Sequence, residues 1–183
     1  SAPDIASQGL ANPLASILGR VCDHLCETTC IRTHLDQPLA IREIKRFIMS
    51  NEEETRATAA ESRPTSVAII GAGPAGLAAG QELGRAGISA TIFEAHPYAG
   101  GMVGGAIPSY RLPQEQIDAD VAVLETLGIE IKYNQKAGVD FTLNDLREQG
   151  FDYTFVAVGA QLPKYLGLDG EDSDGVIDAL QFL

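Results

Sequence analysis

The feature that most constrains the fold of this chain is a short apolar strand followed at once by a glycine-rich loop. Residues 67–70 read Val-Ala-Ile-Ile, and residues 71–76 form a G-x-G-x-x-G pattern. In such a loop the first glycine allows a tight turn and the second lets a pyrophosphate reach the backbone, while the third lets the following helix pack closely on the strand. We therefore predict a βαβ unit whose helix N-terminus faces a phosphate.

The residues after the loop complete this unit. Residues 74–85 suit a helix, residues 90–93 suit a second strand, and Glu94 ends that strand 18 residues beyond Gly76. An acid at this point accepts hydrogen bonds from ribose hydroxyls and disfavours the 2′-phosphate of NADP. The combined spacing favours a dinucleotide site over a glycine-rich turn beside an unrelated surface glutamate.

A second glycine pair bears on which dinucleotide is bound. Gly100 and Gly101 follow Glu94 closely and are themselves followed by Met102. A Gly-Gly pair permits another close approach to a long ligand, which an extended FAD would use more than NAD. A flexible loop is the alternative, and the first βαβ unit by itself leaves FAD and NAD open.

The rest of the chain continues to alternate between helix and strand patterns. Helices are predicted at 112–127 and 142–149, and strands at 129–133 and 152–158, the last of them buried. Such alternation predicts an α/β fold with a largely parallel sheet, here a Rossmann-like three-layer domain. We divide the chain into a partial α-helical segment at 1–50, a linker at 51–66 and a dinucleotide-binding domain at 67–183, with a last helical turn or two from 176 to 183.

All three cysteines lie in the helical segment, as Cys22, Cys26 and Cys30. On a helix a spacing of four would place them along one broad face, because each step drifts by only about 40°. A [4Fe–4S] cluster needs four ligands, so three thiolates cannot complete one alone. From spacing alone a cluster site, a zinc site completed by His24 or His34, and three reduced, partly buried thiols all stay open.

Composition argues against two classes of partner. The formal net charge is −12, and so acidic a surface repels the phosphate backbone of nucleic acids. No stretch approaches the roughly 20 apolar residues that span a bilayer. Residues 1–18 also lack the Lys or Arg of a secretory signal. We expect a cytoplasmic protein with neither a nucleic-acid nor a membrane partner.

Several motifs together resemble one family of iron–sulfur flavoproteins. They are residues 19–22, 25–27 and 30, the helix pattern at 41–48, the βαβ start at 67–78, the glycine pair at 100–101, the segment 107–113 and the strand pattern at 155–160. This set of motifs resembles the small subunit of glutamate synthase and the N-terminal region of dihydropyrimidine dehydrogenase. It looks closest to the large selenate reductase-type flavoproteins, and the resemblance covers about residues 13 to 183.

The resemblance implies an oxidoreductase that passes electrons from NAD(P)H through FAD and [4Fe–4S] clusters to another domain or subunit. It implies Arg111 on the phosphate side of the flavin, Ala137 beside the adenine through its backbone, and residues 157–160 under the isoalloxazine end. It names no catalytic side chain. The residues it implies for FAD are Gly71, Gly73, Pro74, Ala75, Gly76, Glu94, Ala95, Gly100, Gly101, Met102, Arg111, Ala137, Ala157 and Gly159, and those for the cluster are Cys22, Cys26 and Cys30.

The chain departs from the family pattern in ways that affect the cluster. Three residues separate the first two cysteines where the family most often has five. Lys45 stands where a Gln or Glu helps to ligate one cluster, and a protonated ammonium cannot ligate iron. The upstream cysteine motif and a second G-x-G-x-x-G for the nicotinamide domain are missing from this sequence. We therefore expect an excised fragment with an incomplete cluster, inactive alone with NAD(P)H.

Two other functions remain as alternatives. One is an NAD-binding module without a redox role, which would use the same glycine loop and bind no flavin. The other is a scaffold whose N-terminal helices dock a partner subunit, with Cys22, Cys26 and Cys30 serving only as packing residues. The glycine pair and the strand at 155–160 favour FAD over the first of these.

Overall fold

The structure, a computed structural model, describes residues 13–51 and 59–182. Residues 1–12 of the predicted helical segment, 52–58 of the predicted linker and Leu183 of the predicted last turn lie outside the described residues. The helices are α1 (Ala15–Val21), α2 (Leu25–Thr28), α3 (Ile41–Ser50), α4 (Pro74–Arg85), α5 (Met102–Gly105), α6 (Gln114–Thr126), α7 (Leu143–Glu148) and α8 (Ala179–Phe182). The strands are β1 (Arg63–Ile70), β2 (Ile88–Phe93), β3 (Glu130–Lys132) and β4 (Tyr153–Val156), and a 3-10 turn covers Ile31–His34.

The described strands form one sheet in the order β3-β2-β1-β4, and every neighbouring pair is parallel. Residues 67–70 of β1 are buried in this sheet, as a continuous apolar run in a central parallel strand should be. Parallel strands need crossover connections, and α4 supplies the one between β1 and β2. The predicted α/β fold is confirmed.

Apolar side chains pack on both faces of the sheet. On one face Ile69 and Ile92 meet Leu77 of α4 and Leu124 of α6, all four with no exposed surface. The smaller cluster on the other face is built from Ala68, Ile70, Phe93, Phe141 and Leu146. Helices therefore cover the sheet from two sides, which is the three-layer arrangement that the sequence predicted.

The ends of all four described strands differ from the prediction, and β1 and β4 differ most, β1 in where it begins and β4 in its burial. β1 begins at Arg63, so it takes in the last four residues of the predicted linker 51–66. Arg63 gains a ladder partner because its N–H donates to the Gly87 carbonyl at 2.8 Å, and the register shifts between Arg63 and Ser66. The strand predicted as buried at 152–158 is β4, and all four of its residues are exposed. Within the described part of the chain β4 pairs with β1 alone and lies at the sheet edge, so the prediction of burial was wrong.

The N-terminal helices pack against the sheet domain through α6. Ser16, Ile17 and Gly19 are the buried residues of α1. A Cβ on Gly19 would lie 3.1 Å from the Arg46 Cα, so α1 and α3 cross with their backbones close together. Among the described residues no helix is both long enough and apolar enough to cross a membrane.

Candidate dinucleotide site and cysteine segment

The glycine loop leaves β1 and enters α4 with a different demand at each glycine. Gly71 has φ +105°, and a Cβ there would stand 2.5 Å from the Ala157 carbonyl oxygen. A Cβ on Gly76 would collide with the Gly71 carbonyl oxygen. At Gly73, in contrast, the nearest atom to an added Cβ is the Gly101 Cα at 4.0 Å. The fold itself thus requires the first and third glycines, while the second faces open space.

The N-terminus of α4 is open to a ligand. Gly73 is the N-cap residue, Pro74 occupies the first turn, and no side chain caps this end. Pro74 and Ala75 are exposed. The first turn of a helix has N–H groups without intrahelical partners, and the positive end of the helix dipole favours an anion there. The loop and the helix end together suit a phosphate group.

Glu94 joins the end of β2 to the glycine loop. Its side chain is 5% exposed, and its two carboxylate oxygens accept hydrogen bonds from the Ala72 N–H at 2.6 Å and the His96 N–H at 2.8 Å. A carboxylate oxygen can accept more than one hydrogen bond, so ribose binding remains open to this residue. Ala95, which follows it, is exposed. The predicted ribose contact stays a prediction.

The second glycine pair lies directly on the first loop. The Gly100 N–H donates to the Ala72 carbonyl at 2.8 Å, and both Gly100 and Gly101 have positive φ, +112° and +53°. A Cβ on Gly101 would be 3.0 Å from the Gly73 Cα. The pair therefore packs against the glycine loop, and Met102 then starts α5 with 48% of its surface exposed.

A third segment reaches the same place from β4. The Ala157 N–H donates to the Ile70 carbonyl at 2.8 Å, which brings Ala157 beside Gly71. Gly159, two residues further on, has φ +71° and is exposed. The loops that follow β1, β2 and β4 thus meet at the carboxyl edge of the sheet, where open parallel sheets bind their ligands.

Arg111 and Ala137 lie in separate surface segments. The Arg111 N–H donates to the Pro108 carbonyl at 2.9 Å in a turn before α6, and Arg111 is exposed. Ala137 forms an isolated bridge with Phe141 and is also exposed. Their predicted roles beside the flavin phosphate and the adenine stay predictions.

The three cysteines do not share one helical face, so that prediction was wrong. Cys22 is the C-cap of α1, Cys26 lies within α2, and Cys30 precedes the 3-10 turn. The helix is interrupted between α1 and α2 because His24 adopts a left-handed conformation with φ +49°. Within residues 13–51 and 59–182, no group of three or more His, Cys, Asp or Glu side chains is placed to hold a metal ion.

Contacts from α3 hold the loop between Cys22 and Cys26. The Arg42 guanidinium lies 3.4 Å from the Cys22 carbonyl oxygen and 3.3 Å from the His24 Nδ1. The Arg42 backbone N–H donates to the Glu27 carboxylate at 2.9 Å. The His24 backbone N–H in turn donates to the Cys22 Sγ at 3.4 Å. Among the described residues, the buried Nε of Arg20 has no hydrogen-bond partner.

Sequence reasoning missed three buried polar residues, which are Ser16 of α1, Gln81 of α4 and Asp120 of α6. Asp120 is 4% exposed and lies in the same helical stripe as Ile117 and Leu124. A carboxylate at a core position of a helical pattern is the signal that could have found it. Burial raises the pKa of Asp120, and hydrogen bonds from the N–H groups of Ile17 and Ser16 oppose this only in part.

An apolar groove of about 540 Å³ lies between the sheet and α4. Its lining includes Val67, Leu83, Tyr153 and Phe155. No residue predicted to bind a cofactor lines this groove. It is a surface separate from the glycine loop.

The parallel sheet, the glycine loop and the open helix N-terminus define a dinucleotide-binding protein of the Rossmann-like class. Residues 65–182 match the family model for pyridine nucleotide-disulphide oxidoreductase, and the chain belongs to that family. Residues 5–57 match the model for dihydropyrimidine dehydrogenase domain II, 4Fe-4S cluster. The predicted fold class and the predicted combination of a flavin- and nicotinamide-binding fold with an iron–sulfur segment are confirmed.

Named relatives agree with this assignment. The chain is 39% identical to the NADP(+)-dependent formate dehydrogenase subunit beta of Moorella thermoacetica, over 93% of this chain and 28% of the relative. It is 37% identical to the glutamate synthase [NADPH] small chain of Escherichia coli strain K12, over 94% of this chain and 38% of the relative. The predicted resemblance to the glutamate synthase family is confirmed, and the chain spans less than two-fifths of the length of these relatives.

A solved structure is similar to about two thirds of this chain. Mycobacterium tuberculosis FprA in complex with NADPH superposes with a TM-score of 0.59 at 26% identity. The superposition covers 66% of this chain and 28% of that protein. The likeness supports the oxidoreductase class that the family match gives.

Proposed function

We propose that this chain binds FAD along the carboxyl edge of its sheet and carries electrons between the flavin and an iron–sulfur cluster of an NAD(P)H-dependent oxidoreductase. The observation that carries the proposal is the contrast among the three loop glycines. Packing explains Gly71 and Gly76, whereas the nearest atom of the described residues to an added Cβ on Gly73, its chain neighbours apart, is the Gly101 Cα at 4.0 Å. A glycine with free space in front of it fits a backbone that a pyrophosphate approaches.

The chain's own groups would divide the binding work among three loops. The glycine loop and the first turn of α4 would donate N–H groups to the pyrophosphate, and Glu94 would accept from the ribose. Gly101 and Met102 would border the middle of the ligand, because Gly101 already lies against Gly73. Ala157 and Gly159 would border the isoalloxazine end.

The cysteine segment would supply ligands to the cluster. Cys22, Cys26 and Cys30 are free thiols in the structure, and at least one further ligand is needed for four iron atoms. The surroundings of Cys22 fit an anionic group, because the His24 N–H donates to the Cys22 sulfur and the Arg42 guanidinium lies 3.4 Å from the Cys22 carbonyl oxygen. A bound flavin would supply hydride chemistry with nicotinamide, and a bound cluster would supply single-electron transfer.

The partner and the location follow from the same proposal. The relatives at 39% and 37% identity are named as subunits or chains, so another domain or subunit is the electron partner we expect. We also propose a cytoplasmic location, where the three free thiols would stay reduced.

A visible absorbance spectrum tests the proposal. The purified chain is incubated with FAD, desalted and scanned, with an equal sample incubated with NAD as the comparison. Retention of a flavin spectrum in a one-to-one ratio is the expected result. A colourless protein that retains NAD instead would contradict the flavin assignment and favour the NAD-binding alternative.

A variant pair then locates the site. Glu94→Gln is expected to weaken FAD retention, because Gln offers only one acceptor oxygen to two backbone N–H groups and a ribose. Glu130→Gln is the matched control, since Glu130 lies exposed in β3. Equal FAD affinity for the two variants would remove Glu94 from the site.

A further inference from the structure

Helix α1 begins without a capping group of its own. Its N-cap residue is Leu14, in a left-handed conformation with φ +57°, and no side chain of the local sequence caps the helix. The leucine side chain has no acceptor atom, so the N–H groups of the first turn need partners from elsewhere. These N–H groups are buried, which makes an unsatisfied donor costly.

The missing acceptor comes from α6. The Asp120 Oδ1 accepts from the Ser16 N–H at 3.1 Å, and the Oδ2 accepts from the Ile17 N–H at 2.9 Å. About a hundred residues separate the partners, with sequence separations of 104 and 103. Gln81 of α4 adds a weaker contact, since its Oε1 accepts from the Leu14 N–H at 3.4 Å. Polar groups of the sheet domain thus cap a helix of the cysteine segment.

The two ends of α1 connect different parts of the chain. Its first turn is held by Asp120, and its C-cap is Cys22. Seven helical residues span only about 10 Å, so a shift at the first turn is passed rigidly to the cysteine. Hydrogen bonds are directional, whereas apolar packing of Ile17 alone would permit sliding.

We propose that Asp120 is the positioning residue that docks the iron–sulfur segment onto the flavin-binding unit, by capping α1 across the boundary between the two family matches. The first of these matches ends at residue 57 and the second begins at residue 65. The functional consequence, a fixed path between Cys22 and the glycine loop, rests on the proposed function. The docking itself does not require either cofactor.

Amide hydrogen exchange on the full chain, without added cofactor, tests the docking. The variants are Asp120→Asn, which keeps one acceptor oxygen, and Asp120→Ala, which keeps none. The matched control is Asp118→Asn, because Asp118 is exposed on the same helix and its side chain accepts from the nearby Gln114 side chain at 2.9 Å. The exchange rates of Ser16 and Ile17 are compared with those of Ile69 and Ile92 in the sheet.

The expected result is local. Ser16 and Ile17 exchange at least about tenfold faster in Asp120→Ala, because each lost acceptor leaves a buried donor unpaired. Asp120→Asn gives a smaller increase, Asp118→Asn gives none, and Ile69 and Ile92 keep their protection in Asp120→Asn. This pattern separates positioning of α1 from a general loss of stability.

Two results would overturn the proposal. Unchanged exchange of Ser16 and Ile17 in Asp120→Asn and Asp120→Ala would show that the cap is not needed. Equal acceleration at Ile69 and Ile92 in Asp120→Asn would make Asp120 an ordinary core residue. Failure of the wild-type chain to retain FAD would count against the proposed function alone, because the exchange measurement uses no flavin.

Discussion

Replacing Gly73 with alanine should separate cofactor binding from folding. The backbone at Gly73 has φ −74° and ψ 178°, which alanine adopts without strain. Among the described residues beyond its chain neighbours, the atom nearest to the added methyl is the Gly101 Cα at 4.0 Å. Alanine is a poorer N-cap than glycine, but it also restricts the unfolded chain. These effects oppose one another, so we expect the free energy of unfolding to change by less than about 1 kcal/mol.

The same methyl group should weaken FAD binding strongly. It would occupy the space in which we place the pyrophosphate, and the phosphate oxygens would lose one or more N–H donors. A hydrogen bond to a charged group contributes about 1.5–3 kcal/mol, so the dissociation constant should rise by at least about tenfold. Titration followed by flavin fluorescence or calorimetry gives this ratio, and urea denaturation gives the stability.

Gly76→Ala is the contrasting variant in this experiment. Its methyl would collide with the Gly71 carbonyl oxygen, so backbone must move and we expect a loss of about 3 kcal/mol or more in stability. A Gly73→Ala protein that is as stable as wild type and binds FAD equally well would refute the reasoning, because the ligand would then not approach this loop. A Gly73→Ala protein that unfolds would show that packing, not a ligand, explains the glycine.

Three further predictions concern stability. Burial raises the pKa of Asp120 above its ordinary value of 3.8, so the native state binds more protons and wild type should lose stability relative to Asp120→Asn as pH rises through that raised pKa. Urea denaturation of both proteins between about pH 4 and 7 measures this trend. Leu146→Ala should cost about 2–5 kcal/mol, because Leu146 is fully buried, while Leu143→Ala, at 59% exposure, should cost less than about 0.5 kcal/mol by the same assay. Thr142→Ala should cost about 1 kcal/mol by removing the capping box of α7, measured as a shift of thermal midpoint.

Each of these predictions has an outcome that contradicts it. If wild type instead gains stability relative to Asp120→Asn as the pH rises, the direction assigned to the pKa shift of Asp120 would be wrong. Equal losses of stability for Leu146→Ala and Leu143→Ala would mean that Leu146 is not part of the smaller core cluster. An unchanged thermal midpoint for Thr142→Ala would mean that its bond from the Asp145 N–H, at 3.3 Å, contributes nothing.

Local patterns predicted the βαβ unit well. The helix predicted at 74–85 has the same ends as α4. Proline is favoured in the first turn of a helix, and the glycine loop marks the turn that precedes it. The alternation of helix and strand patterns was enough to predict the parallel sheet. The period and length of an apolar pattern distinguish a helix from a strand within a short segment.

The failures have a different physical origin. The left-handed turn at His24 is held by Arg42, which lies 18 residues further along the chain. The four-residue spacing of the three cysteines could therefore not reveal that the helix is interrupted there. The exposure of β4 depends on which element covers its face and not on its own apolar residues. Asp120 acquires its role only when a helix 104 residues away reaches it.

The hydrogen bond between Gly100 and Ala72 bears on the kinetics of ligand capture. Because this bond and the packing of Gly101 on Gly73 already fix the two loops to each other, the conformational entropy of ordering them is lost during folding and not during binding. A dinucleotide would therefore bind to a preformed surface of these two loops, and its association rate would not be limited by loop closure. Differences in affinity among variants of these two loops should then appear mainly in the dissociation rate of the ligand.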